Sequence, residues 1–260
     1  MRFYCAVAVA VLFLIASVAL FAQKAPSVFD AASIRENTSG EAESSLGDRP
    51  GGYATNNVPL RPVIVEAYRL RSFQVIGGPA WLDSTRFDIN ARMPAGARPD
   101  EVFPMLRSLL AERFVLKAHR ESREQPIYAL VVARAGRLGP QLRGSTATCS
   151  PEADNPCRMS GSFVGREGKL KGVGQPIAQL AQQLATGADR MVVDRTGLQG
   201  LFDFDVTWTA GGFSVRSAAP GDEGPSLFTA IQEQLGLKLE PARGPVEMLV
   251  VDSAQLPRPD

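Results

Sequence analysis

Two stretches of this 260-residue chain carry the same apolar pattern, so any fold it adopts has to accommodate one unit twice. Phe103–Lys117 lies over Gly224–Lys238, with Pro104 on Pro225, Leu106 on Leu227 and Leu110 on Ile231. Glu112 then falls on Glu233, Phe114 on Leu235, Leu116 on Leu237 and Lys117 on Lys238. With the next turn shortened by two residues, Pro126–Val132 falls on Pro245–Val251. Upstream, Arg86-Phe-Asp-Ile-Asn90 resembles Leu201-Phe-Asp-Phe-Asp205.

Each copy has its own periodicities. Leu60, Val63, Ile64, Ala67 and Tyr68 recur at helix spacing, as do Ile177, Leu180, Ala181 and Leu184. Pro62 and Pro176 stand near the starts, where a missing N–H costs nothing. Leu106, Leu110 and Phe114 form one buried stripe of a second helix, matched by Leu227, Ile231 and Leu235. Gly236 suits a helix stop. Next, Leu116 and Ala118 alternate with Lys117, His119 and Glu121, which predicts a half-exposed strand. Ile127–Val132 is apolar on both faces and predicts a central strand. A turn of roughly five residues between them predicts an antiparallel hairpin.

The expected fold is α+β (or α/β). It has two tandem copies of a strand-helix-strand-helix-strand-strand unit about an approximate two-fold axis. The copies share one core, with a mixed sheet, antiparallel hairpins and central strands from Ile127–Val132 and Glu247–Val251. Residues 53–135 form the first repeat and 169–252 the second. An N-terminal strand and polar loop (23–52), a connector (136–168) and a tail (253–260) complete the chain. Glu36–Gly52, Gly136–Gly168 and Ala210–Gly224 lack apolar periodicity and read as loops.

Residues 1–22 combine Arg2, an apolar run and small residues, the pattern of a secretory signal peptide. The alternative is an uncleaved inner-membrane anchor, because the run nearly reaches the roughly 20 residues of a span. After cleavage no membrane span is expected. Beyond Cys5, the pair Cys149 and Cys157 remains, and in an oxidising compartment such a pair forms a disulfide. Two Cys and one distant His do not supply four zinc ligands at usual spacing. A net charge of +1 leaves no electrostatic footprint for nucleic acid. No cofactor motif is present, and the expected partner is an unknown protein or small ligand.

Several blocks together resemble a known family. They are Phe29-Asp-Ala-Ala-Ser-Ile-Arg35, Gly77-Gly-Pro-Ala-Trp-Leu82, Arg86-Phe-Asp-Ile89 and Leu109-Leu-Ala-Glu-Arg-Phe114. His119-Arg-Glu-Ser-Arg-Glu124, Tyr128-Ala-Leu-Val-Val132, Asp194-Arg-Thr-Gly-Leu198 and Ser226–Val251 continue the series. The likeness is to the soil-associated protein family of soil bacteria, a secreted family with no agreed activity. Some of its relatives resemble the same domain appended to membrane metallopeptidases of the β-lactam sensor type. The zinc-binding helix of such a peptidase is absent from this sequence, so that activity is not implied.

Candidate chemistry is sparse. His119, the single histidine, sits in a row with Lys117 and Glu121, next to Arg120, Arg123 and Glu124. Lys117, His119, Glu121 and Arg123, with Trp81 and Tyr128, form a candidate recognition surface; the alternative is a solvated strand face. A Ser-His-Asp triad would have to use His119, and no Gly-x-Ser-x-Gly elbow supplies its nucleophile. Asp88, Asp203 and Asp205 could serve glycoside hydrolysis if held about 5–10 Å apart. Otherwise they face outward while Phe87 and Phe202 point into the core. Glu112 and Glu233 read as exposed helix residues. Gly77-Gly78-Pro79 and Asp194–Gly197 read as groove-shaping loops or as tight connections. The leading reading is a noncatalytic extracytoplasmic binding module, exported to the periplasm or medium. The alternatives are a hydrolase using carboxylates or His119, and a sensor domain acting on a membrane peptidase.

Overall fold

The computed structural model describes residues 27–150, 157–164, 167–209 and 224–257. The predicted signal segment, most of the Ala210–Gly224 loop and the last three residues lie outside them. The fold is α+β.

Strand β1 (Ala31–Glu36) is followed by β2 (Ser45–Arg49) and β3 (Gly52–Pro59). Pro50-Gly51 closes the β2–β3 hairpin, with Gly51 at φ 73° where a type II turn needs a left-handed residue. The chain runs from β3 directly into helix α1 (Leu60–Ala67), then β4 (Val75–Gly77) and a single helical turn α2 (Trp81–Ser84). Strand β5 (Arg86–Arg92), helix α3 (Val102–Arg113) and the long β6 (Lys117–Val132) complete the first half. The second half has β7 (Leu142–Gly144), β8 (Arg158–Val164), β9 (Glu167–Gln175) and helix α4 (Ile177–Ala188). Then come β10 (Val192–Asp194), β11 (Phe202–Thr209) and α5 (Leu227–Ala230). The last helix continues as a π turn over Ile231–Leu235 into β12 (Leu237–Ser253).

Among the described residues the strands form three four-stranded sheets. Two are outer sheets, ordered β1-β5-β3-β2 and β7-β11-β9-β8, with antiparallel pairing throughout. The third is central and mixed, ordered β10-β6-β12-β4. Its middle pair is antiparallel from Leu237↔Val132 to Ser253↔Lys117, and both of its edges are parallel.

Apolar side chains gather in separate clusters rather than the single shared core expected. One cluster packs α1 and α3 between β3/β5 and the β12 residues Leu249 and Val251. A second packs α4 and α5 between β9/β11 and Leu130, Leu237 and Leu239. Helices lie between each outer sheet and one end of the central sheet, and this divides the interior. A small third cluster of Ile127, Val246 and Met248 is buried elsewhere on the central sheet.

Three further expectations are corrected. The predicted hairpin between Leu116–Glu121 and Ile127–Val132 does not exist: β6 is one continuous strand of 16 residues, as β12 is of 17. The polar stretch Arg120–Gln125 shows no apolar alternation and resembled a turn. It is a strand because β12 pairs with it along its length. Part of Glu36–Gly52 forms β2, and part of the connector forms β7 and β8. The β2 residues are largely exposed on both faces, so no burial period marks them.

Gly236 ends the last helix at φ 68°, as its place in the sequence suggests. The matching position in the first half is Val115, held at φ 47° while Leu116 donates its N–H back to Leu110 O. A β-branched residue in the left-handed region is strained by roughly 1–2 kcal/mol. Val115→Gly is therefore expected to raise stability by about 1 kcal/mol, less glycine's entropic cost. Urea unfolding at constant slope measures this, and an unchanged or lower midpoint would refute it.

Candidate functional site

Residues facing one another across an antiparallel pair share a side of the sheet. The register therefore places Lys117, His119, Glu121 and Arg123 on one side of β6, with Val250, Met248 and Val246 of β12 opposite the last three. The two strands slip by one residue between Val251 and Ser253. Such a bulge re-aims a side chain, and here Asp252 turns to His119, Nδ1 lying 3.0 and 3.1 Å from its carboxylate oxygens. The other ring nitrogen, Nε2, lies 3.7 Å from Glu121 Oε2, and Glu121 also pairs with Arg123. The result is a row of alternating charge beside the small cluster of Ile127, Val246 and Met248.

The Asp252 carboxylate holds the imidazole pKa above its usual 6.5, with Glu121 adding to the effect. A raised value stabilises the folded state below the ordinary pKa, and that contribution is lost as pH rises through the folded value. Because His119 is the single histidine, its NMR titration is unambiguous. The midpoint is expected above 6.5 in the native protein and lower in Asp252→Asn. A midpoint indifferent to that change would rule out the pairing.

Trp81 and Tyr128 do not join this row. Trp81 stacks on Phe114 at 6.4 Å and meets Phe87 edge-on at 6.2 Å, against the first cluster. Tyr128 points to the opposite side of β6, edge-on to Phe228 at 5.3 Å with the Arg190 guanidinium over its ring. Their amphipathic rings finish the edges of the cores.

Asp88 stands on a different sheet from Asp203 and Asp205, while those two share one side of β11, where Asp205 pairs with Lys169 at 3.4 Å. Asp88 and Asp203 each hold a bulge. Asn57 in β3 (φ 57°) donates its backbone N–H to Asp88 Oδ1 at 2.8 Å, and Asn37 Nδ2 donates to the same oxygen at 2.8 Å. Gly174 in β9 (φ 61°) donates its N–H to Asp203 Oδ1 at 3.0 Å. Asp203's carboxyl is held below its usual range by Ser145 first, then Gly174 N–H, with Arg143 adding. The Asn57 side chain is buried and donates to Glu41 O and Glu43 O, tying down the β1–β2 loop. In the second half the Cys149–Cys157 disulfide (Cα–Cα 5.3 Å) lies where a Cβ on Gly174 would go, and it closes the β7–β8 loop. A loop this short contributes about 2–3 kcal/mol in the chain-entropy model.

Asp88→Ala orphans a buried backbone donor and is expected to cost about 2 kcal/mol, whereas Asp203→Ala, beside a glycine free of strain, costs about 1. Thermal unfolding of both variants decides this, and an Asp88 variant as stable as the parent would exclude the clamp.

The loop candidates also have structural partners. Gly77 and Gly78 (φ 75° and 79°) let the chain pass close to Val251. Arg61 binds Gly77 O at 3.0 Å and Asp83, whose pKa it lowers. Asp194 accepts from Thr196 N and Oγ1 within a local turn. Glu112 and Glu233 are exposed. Among the described residues, no three His, Cys, Asp or Glu side chains are placed to hold a metal ion. No described helix is long and apolar enough to cross a membrane. Asp252 and Asn57 were not legible as site residues: a bulge gives one its partner, and a left-handed backbone position gives the other its role.

No protein of curated function and no solved structure matches this chain. A family model described as "Protein of unknown function (DUF3738)" matches residues 61–254, well over half of the sequence, and the chain belongs to that family.

Proposed function

We propose that the protein is a noncatalytic binding module exported from the cytoplasm. Its recognition surface is the row Lys117, His119, Glu121 and Arg123, together with Asp252. The observation that carries this reading is the environment of His119. With Asp252 at one ring nitrogen and Glu121 near the other, on an open sheet face, the imidazole is favoured as a cation. With a carboxylate beside each ring nitrogen, neither stands free to take a proton from a substrate, so the group suits recognition rather than general-base chemistry. The frame beneath is stiff, since β6 pairs along its length with β12. Export is supported by the 1–22 pattern and by the Cys149–Cys157 disulfide, which belongs to oxidising compartments.

The test compares the purified mature protein with Lys117→Ala/Glu121→Ala/Arg123→Ala as immobilised bait against envelope and culture-medium fractions. A specific partner retained by the wild type, weakened by salt and held at least tenfold less by the variant is expected. Equal capture by both baits would remove the surface from consideration. Turnover of a hydrolase substrate panel that disappears in His119→Ala would replace the reading with an enzymatic one.

A further inference from the structure

The two outer sheets differ at one buried place. In the first, Tyr53 is fully buried four residues before the left-handed Asn57, in register with Ala91 of β5 and Asp48 of β2. Its phenol lies against α1 and donates to Glu66 Oε2 at 2.8 Å. Burial first, and then Glu66, push its ionisation up, so the ring is held as the neutral phenol.

The second sheet repeats this register with other residues. Leu170 stands four residues before Gly174, in register with Val206 of β11 and Gly161 of β8. Gln183 occupies the helix position of Glu66, nine residues after the bulge glycine as Glu66 is nine after Asn57. The phenol is thus replaced by a shorter aliphatic side chain and the two acids by an amide and a glycine. A cavity of about 280 Å³ opens here, lined by Leu170, Gln183, Leu184, Trp208 and Leu227, with Lys169 at its margin. Small-molecule sites run from about 300 to 1,000 Å³, so this volume suits a single ring.

We propose that this cavity is a binding site for a single-ring phenol, held as the Tyr53 side chain is held in the first half. The ring lies between Leu170, Leu184, Leu227 and the Trp208 indole, and the hydroxyl donates to the Gln183 side-chain carbonyl. The absence of carboxylates at the positions of Glu66 and Asp48 removes the repulsion an ionising phenol would meet in the first half. The site is separate from the β6 row and stands or falls independently of it.

The probe is 4-methylphenol, which reproduces the tyrosine side chain, with toluene as the ring lacking a hydroxyl. Binding to the full mature protein is read by ligand-observed NMR and by tryptophan fluorescence. Saturable binding of 4-methylphenol at roughly millimolar affinity, as expected for so few atoms, and at least threefold weaker binding of toluene are the supporting result. Gln183→Leu, an exposed helix position, should remove that preference without disturbing the fold. Leu170→Tyr/Gln183→Glu rebuilds the first half's arrangement and should abolish binding while raising the melting temperature. No saturable binding to the wild type, or undiminished binding to the folded Leu170→Tyr/Gln183→Glu protein, would overturn the proposal.

Discussion

Residues 27–135 expressed alone will not fold cooperatively, and neither will residues 136–257. Every strand pair in the central sheet joins the two halves: β10 to β6, β6 to β12, and β12 to β4. A fragment therefore keeps its outer sheet but leaves its central strands without partners. The first fragment also loses Leu249 and Val251 from its main cluster, and the second loses Leu130. Unpaired strands with apolar faces are also prone to aggregate. Far-ultraviolet dichroism with urea should show no sigmoidal transition for either fragment and a restored one on mixing. A sharp transition from one fragment alone would show that the exchange of strands is dispensable.

Phe114→Ala should destabilise the intact protein by about 3–5 kcal/mol. Phe114 is fully buried at the end of α3, where it meets Phe87 edge-on at 5.3 Å and stacks on Trp81. These three rings join α2, α3 and β5, and the surrounding backbone is held by sheet hydrogen bonds, so collapse onto the gap is limited. The expected fall in melting temperature is roughly 10 °C for a chain of this size. Chemical denaturation at unchanged slope would measure it, and a loss below about 1 kcal/mol would mean that the rings repack freely.

Much of the helical structure was legible because one-sided burial leaves a record. The stripe Leu106–Leu110–Phe114 and its partner Leu227–Ile231–Leu235 form the helices they predict. Phe87 and Phe202 face inward while the aspartates beside them do not. The long strands were legible only at their apolar ends. Residues 120–125 are polar on both sides, and such a run reads as a turn until its partner is known. The β2 strand was hidden for the same reason.

The candidate site divides the same way. Alternation alone placed Lys117, His119 and Glu121 on one side of a strand, because the period of a strand is set by backbone geometry; Arg123 joins that side only because residues 120–125 are strand rather than turn. Side-chain character alone could not tell Trp81 and Tyr128, used at core edges, from exposed recognition groups.

From the sequence by itself came which faces are apolar, where the helices run and which cysteines are close enough in the chain to join, since covalent spacing and periodic burial determine these. Only the tertiary structure decided that each half completes the other's sheet, that a bulge delivers Asp252 to His119, and that the slot filled by Tyr53 in one half is open in the other. The exchange of strands and the His119–Asp252 contact depend on pairing between distant parts of the chain, 133 positions apart for that contact, and no local preference encodes which distant strand supplies the missing hydrogen bonds.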